Sequence, residues 1–408
     1  MIIHQPEIIV DNGMITLSSP IEFSNQIANI PKTLWFSFPE EYEQYISLRI
    51  EAFLLGMLIP AMYYQEDIEV RGPVSPKLAY NLREIMHIYH KAFELSPINI
   101  RYQSLEVFQP KQKPFGVMNS FSGGADSMYT LYSHLKENEP ILEAQITHSL
   151  FIHGFNDFDV ALDDQVYFNR LHKSYLDLFG ELGVNLIVAK SNAYFFSKFR
   201  ISWDYGYLPT QISFVCLLGN LVKRFYHPAD GDYIEFNIPD LYTLSVPLYS
   251  TETFDVINHT TRTTRLQKIE AISEWQHAHE NLRVCQKWDK QDVEINCGKC
   301  YKCLTTMMLI EMIGSYEKFT TFEQPYPRNS IIRYLLLPNT DAYSYLTFKT
   351  SAKKFNRIDF LFWIFLFNIP ILIKSWLIEQ LQKRMTDETK YRLRSILFGS
   401  RSIDNSKN

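Results

Sequence analysis

Asn119-Ser120-Phe121-Ser122-Gly123-Gly124-Ala125-Asp126-Ser127 is the stretch on which the reading of this chain turns. An apolar run (Phe115, Val117, Met118) leads into it, and Met128, Leu131, Tyr132 and Leu135 follow at helical spacing. Strand, glycine-rich turn and helix together form an architecture that holds phosphates. Two glycines let the backbone curl close to an anion with no Cβ in the way. The N–H groups of the helix start, aided by the helix dipole, then face negative charge. Ser122, Gly123, Gly124, Ala125, Asp126 and Ser127 are therefore the candidate phosphate-binding residues. Ser122 and Ser127 add hydroxyl donors, and Asp126 either caps the helix or holds Mg²⁺ through water. The plainer alternative is a turn that merely caps a helix. No lysine follows the glycines, which excludes the Walker pattern.

Downstream, strands alternate with helices, which predicts a parallel sheet covered on both faces. The expected strands end at Phe121 and run over Ser149 to His153 and Asn185 to Ala189. The expected helices run from about Asp163 to Leu182 and from about Pro209 to Tyr226. Ligands of open sheets of this type sit at the carboxyl ends of strands. His153 and Asp157 are thus placed where adenine and ribose would lie, although a histidine after a strand is also an ordinary structural residue. Ser250 and Glu252, after an apolar run, either face a substrate or cap the next helix.

The second pattern is Cys297-Gly-Lys-Cys300-Tyr-Lys-Cys303, with Cys285 eleven intervening residues upstream. Four of the chain's five cysteines thus fall within 19 positions, a spacing at which thiolates converge on one ion. Four sulfurs in a tetrahedron suit Zn²⁺, with an iron–sulfur cluster or disulfides as rival readings. The fifth, Cys216, sits in the apolar run Phe214 to Leu218 and reads as a buried hydrophobe.

The Ser-Gly-Gly-x-Asp-Ser turn resembles the pyrophosphate loop of the N-type ATP pyrophosphatases. A pyrophosphate loop followed by a four-cysteine zinc site is similar to the layout of the 7-cyano-7-deazaguanine synthases, over roughly residues 112 to 320. The resemblance implies a Rossmann-like pyrophosphate-loop domain that binds ATP and Mg²⁺ and adenylates a carboxylate with loss of pyrophosphate. Amide, then nitrile, formation from ammonia would follow. In Thr264-Arg265-Leu266-Gln267-Lys268, Lys268 corresponds to a family lysine near the phosphates, with Arg265 as its substitute; surface charge is the alternative for both. This chain departs from the compact synthases by its added ends and by the longer spacing between Cys285 and Cys297. Enlarged relatives occur in antiphage defence, where some are thought to attach a deazaguanine to a protein. The acceptor thus stays open between a small carboxylate and a protein. A tRNA-thiolating enzyme and a non-catalytic nucleotide-binding subunit are the other readings.

Three segments are expected: an α+β extension over 1–111, the pyrophosphate-loop domain with its zinc site over 112–325, and a helical tail over 326–408. The extension walls the substrate site or serves as a structural or dimerising module, which would make a homodimer. Its expected elements are strands at Ile8 to Val10, Met14 to Leu17, Leu34 to Phe38 and Ile68 to Arg71. Helices from Pro39 to Met62 and from Pro76 through Ile88 complete it. At 46% hydrophobic and 21% charged residues the chain builds a full core, and a net charge of −5 argues against a general nucleic-acid binder. Few cysteines, and an N-terminus with neither a basic region nor an apolar core, predict a cytoplasmic protein. Residues 360–373 are almost wholly apolar with basic flanks. A buried helix is preferred there over a membrane contact or a span, because fourteen residues fall short of the ~20 that a span needs.

Overall fold

A computed structural model describes residues 1–25, 27, 29–153, 165–197, 201–231, 238–259, 261–285, 295–335, 342–364 and 380. The protein is α/β with a mostly parallel central sheet. Its strands are β1 (Ile2–Ile3), β2 (Glu7–Asp11), β3 (Met14–Glu22), β4 (Thr33–Pro39), β5 (Ile68–Val74), β6 (Ile100–Leu105), β7 (Gly116–Ser120), β8 (His148–His153), β9 (Asn185–Ser191), β10 (Val222–Pro228) and β11 (Asp255–His259). They lie in the order β11-β10-β7-β8-β9-β4-β3-β1-β5-β6, with β2 paired to β3.

The chain divides into two compact units. The first holds Met1–Ser122 and Thr130–Arg262; the second holds Gly123–Tyr129 and Thr263–Asn408. The division passes through the helix Ala125–Ser133.

Among the described residues all eleven strands belong to the first unit. β11, β10, β7, β8 and β9 run parallel to one another. β7 and β8 are buried at every position, as strands covered on both faces must be, and neither alternates apolar with polar residues. Counted from β7, the order is third-second-first-fourth-fifth, the doubly wound arrangement, and the order reverses between β7 and β10.

The N-terminal strands join this same sheet. β4 pairs antiparallel with β9 through Phe36↔Ser191 and Ser37↔Lys190. Asn192 fixes the junction, its amide oxygen accepting from Trp35 N–H at 2.9 Å and its amide nitrogen donating to Thr33 O at 2.8 Å. Behind them the helix Glu51–Tyr64 is buried over Glu51 to Met62 and packs on the helix Trp203–Leu217. Glu51 is tolerated there because Arg49 binds it bidentately at 2.6 and 3.2 Å.

Two helix expectations are corrected. The run from Pro209 to Tyr226 is the end of the helix Trp203–Leu217, then a turn, then β10. Gly219 and Asn220 break it, and Asn220 is spent on other backbone, accepting from Lys111 N–H and donating to Ile46 O. The expected helix from Pro39 to Met62 is a 3₁₀ helix, Glu40–Tyr45, followed separately by Glu51–Tyr64.

The second unit is helical, with Arg265–Ile272, Gln276–Asn281, Tyr301–Ile313, Ser330–Leu335 and Ala342–Lys354. Among the described residues no helix is long and apolar enough to cross a membrane. The apolar run 360–373 is described only to Ile364. In that part Phe360 and Ile364 are buried one turn apart and Phe362 is 58% exposed, so one face packs against protein.

Candidate functional site

β7 delivers the chain to the turn at its carboxyl end. Phe121 N–H donates to Leu150 O at 2.8 Å, continuing the pairing one residue past the strand. Gly123 then takes φ +75°, the left-handed region, which explains glycine at this position. The helix Ala125–Ser133 begins two residues later, and Ser127 Oγ turns back to Gly124 O at 3.0 Å. Ala125, Met128 and Leu131 are the buried anchors of this helix. Ser122 is exposed, and its carbonyl accepts from Tyr175 OH at 3.5 Å within the first unit.

Within the second unit the turn meets the helix Arg265–Ile272. That helix opens on a capping box. Thr264 Oγ1 accepts from Gln267 N–H, and Gln267 Oε1 accepts from Thr264 N–H at 2.9 Å. Positions three apart share a helix face, so the box aims Arg265 and Lys268 the same way. Both reach Asp126: Arg265 Nη1 at 2.5 Å from Oδ2, Lys268 Nζ at 2.9 Å from Oδ1. Lys268 is fully buried, while Arg265 and Asp126 keep about a fifth of their exposure.

Burial alone would raise the Asp126 pKa, but Arg265 and Lys268 overcome it and hold the carboxyl down at about 2. The carboxylate is thus committed to two cations. It lies inside the first turn of the helix Ala125–Ser133 rather than at its cap.

A testable consequence is acid sensitivity. A carboxyl whose folded pKa lies below its ordinary 3.8 stabilises the fold fully above about pH 4 and loses that contribution as pH falls through about 2. Wild type should lose denaturation free energy over that window more steeply than Asp126→Asn. Parallel curves would exclude the ion pair as the cause.

The four cysteines of the second spacing come together in the same unit. The Sγ atoms of Cys285, Cys297, Cys300 and Cys303 all lie within 4.8 Å of one another, with 3.9 Å between Cys297 and Cys303. A tetrahedral Zn–thiolate shell with bonds of ~2.3 Å needs sulfurs ~3.8 Å apart. The four cysteines can therefore hold one metal ion such as zinc. All are free thiols, so the disulfide reading fails. A four-iron cube places each thiolate on a separate iron and spreads the sulfurs beyond one ion's shell. Gly298 (φ +62°) turns the chain so that the N–H groups of Lys299 and Cys300 point at Cys297 Sγ, at 3.5 and 3.3 Å. Cys297 is held below the usual thiol range, chiefly by a hydrogen bond from Cys285, and the same neighbour lowers Cys300 to about 7. Cys285 is pushed up first by its hydrogen bond with Cys297, and Cys303 first by its hydrogen bond with Cys285. A divalent ion bound there would draw all four sulfurs to the thiolate form.

The remaining candidates are placed as follows. His153 ends β8 in the first unit, 3% exposed, its ring stacked on Phe168 at 4.0 Å. Asp157 lies outside the described residues. Ser250 Oγ accepts from Val256 N–H, and Glu252 binds Ser75 Oγ at 2.6 Å and Lys77 N–H at 2.9 Å. Glu252 therefore caps the start of the helix Pro76–Phe93, earlier in the chain rather than next in it. Cys216 is fully buried, and burial pushes its thiol up to about 12.

Two residues escaped the sequence reading. Asn296, 7% exposed, accepts from Val284 and Cys285 N–H at 2.9 and 3.1 Å and donates to Leu282 and Thr321 O at 2.8 and 3.1 Å. Arg283 N–H donates to Gly123 O at 2.8 Å. The signal for Asn296 was its place beside Cys297; a main-chain bond such as that of Arg283 leaves none.

No protein-family model matches the chain, and neither a curated protein nor a solved structure matches it.

Proposed function

We propose that the chain is an ATP-dependent ligase of the N-type ATP pyrophosphatase kind, similar to the 7-cyano-7-deazaguanine synthases, which adenylates a carboxylate and releases pyrophosphate. The observation that carries this reading is the place of the Ser122–Ser127 turn. It leaves β7, the strand beside which the order of the parallel sheet reverses, and ligands of open α/β sheets bind outside the carboxyl ends of strands at such a point.

The chemistry that follows is phosphoryl-centred positioning. The first turn of a helix directs its N–H groups and the positive end of its dipole at an anion. Two cations against one carboxylate, Arg265 and Lys268 against Asp126, add a single net positive charge beside that turn. Charge held there before reaction stabilises the pyrophosphate that departs when a substrate carboxylate oxygen attacks the α phosphorus. An ammonia, amine or protein nucleophile then displaces AMP from the acyl adenylate. Magnesium, when bound, would shield the phosphates. A zinc ion in the four-thiolate shell has no open coordination position and would act as a cross-link.

Thiolation of tRNA is the weaker reading, because it needs a cysteine free to carry sulfur. Four of the five are gathered into one ion's shell and the fifth is fully buried.

The test is AMP and pyrophosphate release from ATP with Mg²⁺, ammonia and carboxy-deazaguanine, beside Asp126→Asn. Release that requires the carboxylate and is lost in the variant supports adenylation. ATP binding by a folded, metal-loaded protein with no AMP formed from this acid or a panel of others would point to a nucleotide-binding subunit instead.

A further inference from the structure

We propose that the four-cysteine site anchors the glycine turn, so that metal occupancy sets the order of Gly123–Ser127. Every link lies in the second unit. Arg283 N–H holds Gly123 O at 2.8 Å, and Arg283 stands two residues before the ligand Cys285. Those two residues cannot drift independently, because Asn296 grips Leu282 O, Val284 N–H and Cys285 N–H together. Asn296 is itself next to Cys297, so one buried amide locks the two arms of the cysteine site to each other. Its remaining bond, to Thr321 O, ties both arms to the chain beyond the helix Tyr301–Ile313.

Gly123 has strong need of such a hold. A left-handed glycine has more conformations to lose than any other residue, and a turn meant for an anion must keep its N–H groups aimed before the anion arrives. Its carbonyl is fixed from Arg283, whose own position follows from Cys285. Asn296 is thus a positioning residue for the metal site, and Arg283, through its main chain, is a positioning residue for the turn. In naming pyrophosphate as the anion that benefits, the inference rests on the adenylation reading; the anchor itself does not.

Hydrogen exchange tests the anchor without any ligand. Amides of residues 123–127 should exchange at least about tenfold faster once a chelator strips the metal, tenfold being the loss expected for one supporting hydrogen bond and its neighbours where the rest of the unit holds. Arg283→Pro deletes the N–H and should give the same increase with metal retained, while Arg283→Ala, which keeps the N–H, should not. Leu282 is already extended (φ −65°, ψ 117°), the conformation a following proline requires. Asn296→Ala should weaken cobalt(II) binding by about 10- to 100-fold, read from its thiolate charge-transfer bands, and speed exchange of the turn as well.

Equal exchange in metal-loaded and stripped protein would overturn the anchor, as would Arg283→Pro and Arg283→Ala behaving alike. Should stripping unfold the unit outright, the proline–alanine comparison on loaded protein decides alone. Should Arg283→Pro not fold, Asn296→Ala takes its place, and unchanged turn exchange with weakened cobalt binding would sink the proposal. A pyrophosphate titration run in parallel separates the two readings. A flat titration beside metal-dependent exchange removes the phosphate role and leaves the anchor standing.

Discussion

Asp126→Ala should destabilise the second unit by about 3–5 kcal/mol, because it strands a buried ammonium rather than because it removes an attraction. Lys268 has no exposed surface and Asp126 Oδ1 lies 2.9 Å from its Nζ. Arg265 can swing its partly exposed guanidinium into water, but Lys268 cannot follow. The buried ammonium is then deprived of this carboxylate, which costs free energy. A second substitution shows that the penalty belongs to the buried charge that has lost this carboxylate. Asp126→Leu combined with Lys268→Met removes both charges at similar volume and should recover most of the lost stability. Chemical denaturation of wild type, single and double variants measures this directly. A double variant no more stable than Asp126→Ala would mean that the carboxylate acts through something other than Lys268. The same pair separates folding from chemistry. A double variant that is stable yet releases no AMP would assign the charged group to the reaction, which the single variant alone cannot do.

How far this could be foreseen depends on the range of the interaction. The turn, its strand and its helix were legible because Val117, Met118, Gly123, Gly124, Met128 and Leu131 signal over a few residues of sequence. The cysteine site was legible for the same reason, since three ligands share one short segment. Arg265 and Lys268 were visible as a pair through the capping box and their spacing, but their common partner was not. Asp126 is 139 residues from Arg265 in sequence, and nothing local reports a carboxylate that far away. β10 was misread as helix because it begins only four residues past the helix that ends at Leu217, and the adjacent, half-buried Lys223 and Arg224 interrupt the alternation that marks a strand. β11 was passed over, and its middle residue Ile257 pairs with Tyr226 of the strand that was misread. The antiparallel joint between β4 and β9 was not legible, since an edge seeking a partner has the same composition as one that has found it. Asn296 carries the clearest lesson. Its four hydrogen bonds reach Leu282, Val284, Cys285 and Thr321, so its role exists only once the fold has assembled them.

The largest effect is expected at the cysteines. Cys303→Ser should abolish stoichiometric metal and unfold much of the second unit, whereas Cys216→Ala should leave one metal per chain. Cys303 is fully buried at the start of the helix Tyr301–Ile313, and that helix packs on Arg265–Ile272 and Ser330–Leu335. Loss of a thiolate there removes more than one bond to the ion. Structural zinc in small cysteine sites binds with ~10–16 kcal/mol of apparent free energy, which a site formed only in the folded state returns as folding free energy. A domain stable by ~5–15 kcal/mol does not withstand that loss. The serine hydroxyl is also a poor ligand left buried, where an unmatched polar group costs about 1–3 kcal/mol more. Cys216 sits in apolar surroundings, and alanine there forfeits only packing. Metal analysis with circular dichroism, before and after chelation, separates the outcomes. One equivalent of metal retained by a folded Cys303→Ser protein would show that three thiolates suffice. The site would then have an open fourth position, the arrangement of a catalytic ion rather than a cross-link.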